Sequence, residues 1–125
     1  MRVLPTKIHG LLDYLTAIFL MMSPWLLGFN ENHTAMWVVL LMGAAVILYS
    51  VCTDYEWGAF RILSMKSHLT IDLLVGIFLA VSPWLLGFAD DVFLPHLIVG
   101  LFSMVASLIT KKEVSRRGNL GPSTL

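Results

Sequence analysis

Four long apolar runs dominate this sequence and leave few folds open to it. They extend roughly from Ile8 to Gly28, Ala35 to Thr53, His68 to Gly87 and Val92 to Thr110. Crossing a hydrocarbon core of ~30 Å takes ~20 helical residues, and each run has about that length. Inside a bilayer no water reaches the backbone, so each span must pair its own N–H and C=O groups, which requires a helix. The runs lack the polar–apolar alternation of barrel strands. Charged residues make up only 13% of the chain, against about a quarter in soluble domains. The expected fold is an all-α membrane protein with four transmembrane helices in a single domain of 125 residues. The segments between and after the spans are short, which leaves no room for a soluble catalytic domain.

Eight basic and eight acidic residues cancel to a net charge of zero, which removes the basic excess expected of a nucleic-acid binder. The arrangement of these charges matters more than their sum. Arg2 and Lys7 precede the first span, Arg61 and Lys66 separate the second from the third, and Lys111, Lys112, Arg116 and Arg117 follow the fourth. If the spans alternate, every basic residue falls on one side, and Glu31, Asp90 and Asp91 fall on the other. The positive-inside rule then puts both termini in the cytoplasm. The first run resembles a secretory signal in having basic residues before it. It lacks a small-residue cleavage site and recurs in near copy mid-chain, so it is expected to stay in the mature protein. Trp25, Trp37 and Trp84 near the outer boundary, and Tyr49, Tyr55 and Trp57 near the inner one, read as an aromatic belt. The stretch from Tyr55 to Ser67 suits the inner surface, with Trp57, Phe60 and Ile62 or Leu63 dipping into it. Residues 114–125 turn polar and are expected to form a disordered cytoplasmic tail.

The chain is internally duplicated. Lys7 to Phe29 aligns with Lys66 to Phe88 without gaps, pairing Lys7/Lys66, His9/His68, Asp13/Asp72, Ile18/Ile77, Phe19/Phe78 and Leu20/Leu79. The run Ser23-Pro24-Trp25-Leu26-Leu27-Gly28-Phe29 then returns whole as Ser82 to Phe88. The second halves align more weakly, through Gly43/Gly100, Ser50/Ser107, Thr53/Thr110 and Glu56/Glu113. Repeat one covers about residues 5–56 and repeat two about 64–113. Each is a helix hairpin with an even number of spans, so the two are tandem and parallel, related by a pseudo-twofold along the membrane normal.

Two hairpins, each with Ser-Pro-Trp near the end of its first helix, resemble the SPW-repeat family of small prokaryotic integral membrane proteins. The resemblance covers about residues 5 to 113. It implies a four-helix membrane domain in the prokaryotic inner membrane and brings no established activity, cofactor or catalytic residue.

The repeated motif has a structural reading. Pro24 and Pro83 each remove a backbone donor and free the carbonyl four residues back, at Leu20 and Leu79. Ser23 and Ser82 can satisfy that loosened backbone. Trp25 and Trp84 then anchor at headgroup level, and Gly28 and Gly87 suit a left-handed helix end. The alternative is that the kink and freed carbonyls line an outward-facing ligand site.

His9 and Asp13, like His68 and Asp72, lie four residues apart and share a helix face. A carboxylate inside the membrane is costly unless protonated or paired. The partners in reach are the histidine one turn away and Lys7 or Lys66 snorkelling to the interface. Three readings stand for His9, Asp13, His68 and Asp72: a structural polar clamp between spans one and three, a proton or small-ion pathway, or a metal site. No metal or other cofactor is expected, because nothing in the sequence shows that the pairs face a common centre.

Cys52 is the sole cysteine, which excludes intrachain disulfide and dithiol chemistry. His33 and His96 occupy non-equivalent positions, against a paired haem-ligand role. Small residues at Gly43-Ala44-Ala45, Gly76 and Ala80, and Gly100, Ser103 and Ser107 mark close helix packing. No nucleophile–base constellation or phosphate loop occurs. The chain therefore reads as a non-enzymatic structural or accessory module, with the lipid bilayer and a homo-oligomer or larger membrane complex as partners. The alternative is a small transporter or proton/ion-conducting protein.

Overall fold

A helix needs a start that its first N–H groups can tolerate and an end that its last carbonyls can tolerate. The sequence supplies such signals at several of the helix ends. The structure is a computed structural model and describes residues 1–114. It contains α1 (Thr6–Leu26), α2 (His33–Val51), α3 (Met65–Leu85) and α4 (Leu94–Ile109). Asn32 caps α2 by accepting from the Ala35 N–H at 3.0 Å, and Ser64 caps α3 by accepting from the Ser67 N–H at 3.1 Å. Pro95 opens α4, where a missing N–H costs nothing.

α1 and α3 end in the same way. Ser23 Oγ donates to the Leu20 carbonyl at 2.7 Å, and Ser82 Oγ donates to the Leu79 carbonyl at 2.8 Å. Those are the two carbonyls that the prolines deprive of a partner. Gly28 and Gly87 then turn left-handed, at φ 76° and 77°. Phe29 N–H reaches back to Pro24 O and Phe88 N–H to Pro83 O, both at 2.8 Å, closing a Schellman turn that sends the chain into the next helix.

The other end of the bundle is closed by backbone pairing. After α2, the N–H groups of Ile62 and Leu63 both donate to Cys52 O, and Asp54 N–H donates to Leu63 O. After α4, the N–H groups of Val3 and Leu4 both donate to Ile109 O, and Lys111 N–H donates to Leu4 O. Each hairpin thus ends on the residues that precede a first helix, and the chain's own start takes the place that the linker holds in the other repeat. The two halves form a ring in which the helices pack most closely within each hairpin, with α2 touching α3 and α1 touching α4.

Glycines set the closest approaches. A Cβ on Gly100 would lie 2.5 Å from Ala80 N and 2.6 Å from Gly76 O, and one on Gly43 would lie 2.9 Å from Ala17 O. These seams are pseudo-equivalent, with Gly76 in α3 standing where α1 has Ala17.

The radial distribution of polarity is inverted relative to a water-soluble bundle. Ile8, Leu11, Leu15, Ile18, Phe19, Met22 and Leu26 form an exposed stripe on α1, while Thr6, His9 and Ser23 are buried. Leu41 and Leu48 on α2, Leu74 and Ile77 on α3, and Ile98, Leu101 and Val105 on α4 are likewise exposed. Leu20, Leu79, Phe29, Phe88, Val39 and Val99 form an apolar core toward the end that holds the Ser-Pro-Trp motifs.

Some expectations hold in part and others need correction. α2 and α3 are long and apolar enough to cross a membrane. α1 is as long as α3 but less apolar, because Tyr14 and Thr16 stand where α3 has Leu73 and Val75. α4 is an apolar helix of 16 residues, shorter than the run from Val92 to Thr110. Pro95 delays its start, and Thr110 leaves the helix in an extended conformation next to the pairing with Leu4. Tyr49 and Tyr55 are buried rather than facing outward as a belt, whereas the four tryptophans are exposed. The segment after Tyr55 folds back over α1 instead of only lying along a surface. Trp57 Nε1 donates to Lys7 O at 2.7 Å, Tyr14 Oη donates to Trp57 O at 2.9 Å, and Thr6 Oγ1 bonds the Glu56 carboxylate at 2.8 Å. Gly10 makes room for this strap, since a Cβ there would meet Trp57 Cδ1 at 2.4 Å. Of the expected polar tail, Val114 packs against Tyr55, Met65 and Leu69, and the remainder lies outside the described residues.

Candidate functional site

One turn into α1, His9 and Asp13 project from the face that carries Ala17 and Leu20, and α3 presents His68 and Asp72 in the same register. The structure brings all four side chains to one centre. Each histidine lies closer to the acid of the other hairpin than to its own. His9 Nε2 is 2.7 Å from Asp72 Oδ2 and 3.2 Å from Asp13 Oδ2. His68 Nε2 is 2.8 Å from Asp13 Oδ2 and 3.3 Å from Asp72 Oδ2. The pairing is therefore crossed and joins the diagonal helices α1 and α3. Lys7 and Lys66, the other partners in reach on the sequence, are exposed.

Two threonines complete the arrangement. Thr53 Oγ1 lies 2.8 Å from His68 Nδ1, and Thr110 Oγ1 lies 2.7 Å from His9 Nδ1. Each hydroxyl also donates to the carbonyl four residues back, Thr53 to Tyr49 O at 2.6 Å and Thr110 to Ala106 O at 2.5 Å. A hydroxyl has one hydrogen. With that hydrogen committed to the backbone, the oxygen can only accept from the ring, so Nδ1 carries the N–H and Nε2 is the atom presented to the centre. Each Nε2 meets only carboxylate oxygens there, and a proton shared between ring and acid satisfies both.

The symmetry breaks on one side. Tyr49 donates its hydroxyl to Asp72 Oδ1, and the pseudo-equivalent position on α4 is Ala106, which has no hydroxyl. Tyr49 and Tyr55 also pack their rings against His68, at centroid separations of 5.1 and 5.3 Å. Asp72 is 1% exposed, and the Asp13 side chain is 13% exposed. In the loop after α2, burial pushes the Tyr55 phenol above its ordinary value.

Sequence reasoning singled out the four ionisable residues but missed Tyr49, Thr53 and Thr110 as members of the site. Thr53 and Thr110 left a signal, since they are one of the few identical pairs in the weakly matching second halves. Tyr49 left none, because its counterpart is alanine. Ser23, Pro24, Trp25 and Gly28, with Ser82, Pro83, Trp84 and Gly87, lie at the opposite ends of α1 and α3 and belong to the helix termini. His96 is buried there between Phe29 and Phe88, with Nε2 donating to Ala35 O at 3.1 Å. His33 is exposed.

These features define a class: an all-helical protein of two tandem hairpins, with membrane-capable helices and a buried polar centre where the repeats meet. The chain matches the SPW repeat domain over residues 7–110 and belongs to that family. Neither the curated proteins nor the solved structures contain a match.

Proposed function

We propose that this chain is a small multi-pass membrane module without enzymatic activity. Its four helices all cross the bilayer, both termini lie in the cytoplasm, and the His9–Asp72 and His68–Asp13 pairs clamp the two hairpins together. The observation that carries this reading is the inverted polarity: large apolar side chains face outward on all four helices, while three histidines and an aspartate are nearly sealed inside. In lipid, apolar surface gains nothing by being buried between helices, and association rests on close packing and interhelical polar bonds. The glycine seams and the quartet supply those two contributions. The exposed apolar surface contacts lipid, another copy of the chain or a larger membrane complex.

Topology decides the first part. In a Cys52→Ala background, Glu31→Cys and Asp90→Cys should react with a membrane-impermeant maleimide on intact cells, while Lys112→Cys should react only after permeabilisation. Labelling of Lys112→Cys from outside overturns the proposed orientation. Proton or small-ion conduction is the second reading, favoured by four ionisable side chains within the bundle, with Asp13 the least enclosed.

A further inference from the structure

We infer that His9, Asp13, His68 and Asp72 form a binding site for one divalent transition-metal ion, with Zn2+ the best fit. The inference deepens the reading of the quartet as the joint between the hairpins and rests on it.

The geometry starts from the four converging atoms. Nε2 of His9, Oδ2 of Asp72, Nε2 of His68 and Oδ2 of Asp13 alternate around a closed ring with sides of 2.7, 3.3, 2.8 and 3.2 Å. All four lie within 4.8 Å of one another. A ring with sides of about 3 Å, whether flat or folded toward a tetrahedron, has its centre roughly 2 Å from each corner, which is the distance at which Zn2+ takes imidazole nitrogen and carboxylate oxygen. The side chains need little movement to become ligands.

The surroundings point the same way. Metal-bound histidines typically give their other ring N–H to a fixed acceptor, which sets the tautomer and aims the lone pair at the ion. Thr53 and Thr110 do this here, each held as an acceptor by its own bond to the backbone. Tyr49 holds the second oxygen of Asp72, leaving Oδ2 for the centre. The same acceptors serve a metal-free clamp, and they leave both Nε2 lone pairs aimed at one centre, as a ligand set needs.

Charge and donor type select the ion. Two neutral imidazoles and two carboxylates match a 2+ charge, so the filled site is neutral, as a low-dielectric interior demands. The two nitrogens and two oxygens include no thiolate, which disfavours soft Cu(I), and the imidazoles favour Zn2+ over Mg2+ or Ca2+.

The test uses the full chain without a histidine tag, purified in detergent micelles, stripped with a chelator and titrated with Zn2+, then with Co2+ as a coloured substitute. One ion should bind per chain, Co2+ should show the intense visible absorption of a four-coordinate site, and the unfolding temperature should rise with Zn2+ concentration. Asp13→Asn should weaken binding more than about tenfold, and Thr53→Val, which touches no ion, by about 10–100-fold. Either variant suffices if the other does not fold. His33→Gln should bind as the natural chain does. A helical natural chain that takes up neither ion overturns the metal site and leaves the clamp standing. Natural affinity in a folded Asp13→Asn, His68→Gln double variant also overturns it. Metal binding without any loss of metal-free stability on removing the quartet would instead remove the clamp and keep the metal.

Discussion

His9 and Thr110, 101 residues apart, share a 2.7 Å hydrogen bond, and His68 and Thr53, only 15 apart, share its counterpart at 2.8 Å. The same contact is local in one half and joins the end of α4 to the first turns of α1 in the other. The threonine that ends one hairpin thus orients the histidine that begins the other, whether a linker joins the two or only hydrogen bonds do.

Removing either threonine hydroxyl should therefore damage both halves alike. Thr53→Val and Thr110→Val each leave a buried ring N–H without an acceptor, a loss of about 1–3 kcal/mol. Thr53→Ser and Thr110→Ser keep the oxygen and should retain most of the stability. Thermal or denaturant unfolding in micelles, followed by circular dichroism, reads the difference. Equal loss from Ser and Val variants would show that the methyl packing mattered and the hydrogen bond did not.

The two aspartates should not be equivalent, despite their matching positions in the repeat. Both meet the two histidines, but Asp72 is 1% exposed and takes the Tyr49 hydroxyl as well. Asp13 has no tyrosine counterpart and is 13% exposed at its side chain. Breaking a buried charged pair by neutralising one member typically costs about 3–5 kcal/mol. Asp72→Asn should approach that range, and Asp13→Asn should cost less. The two unfolding curves, measured side by side, check the order.

Glycine replacements separate two kinds of constraint. Gly100→Ala drives a methyl into the backbone of α3 at Gly76 and Ala80, where nothing flexible can yield. The helices of the second hairpin must separate, at a cost of about 1–3 kcal/mol or more. Gly28→Ala meets open space but keeps φ at 76°, a strain of about 1–2 kcal/mol. D-alanine at Gly28, introduced by chemical synthesis, should restore that loss, and D-alanine at Gly100 should restore nothing.

Conduction makes a separate, decidable claim. As a clamp, the quartet should pass no protons, and liposomes carrying the chain should hold a pH gradient as long as empty ones. A flux present in the natural chain and lost in Asp13→Asn plus Asp72→Asn would replace the clamp with a pathway.

Much of this protein is set by order along the chain. The duplication, the helix hairpins and the chemistry of the Ser-Pro-Trp-Leu-Leu-Gly ends are local properties. A proline frees a carbonyl at a fixed distance, a serine beside it can reach that carbonyl, and a glycine five positions after the serine can turn left-handed, whatever the rest of the molecule does. His9 and Asp13 share a helix face for the same reason. Local spacing could not say which acid each histidine would choose. That depends on how the two hairpins pack against each other, which brings α1 and α3 together across the bundle. Nor could it assign Tyr49 to Asp72, because a tyrosine near a helix end fits a membrane interface as well as a buried bond. The sequence by itself determined two like helices with matching polar residues. The tertiary structure crossed the pairs and made one side unequal, because side-chain bonds form by separation in space, and the packing of all four helices fixes that separation.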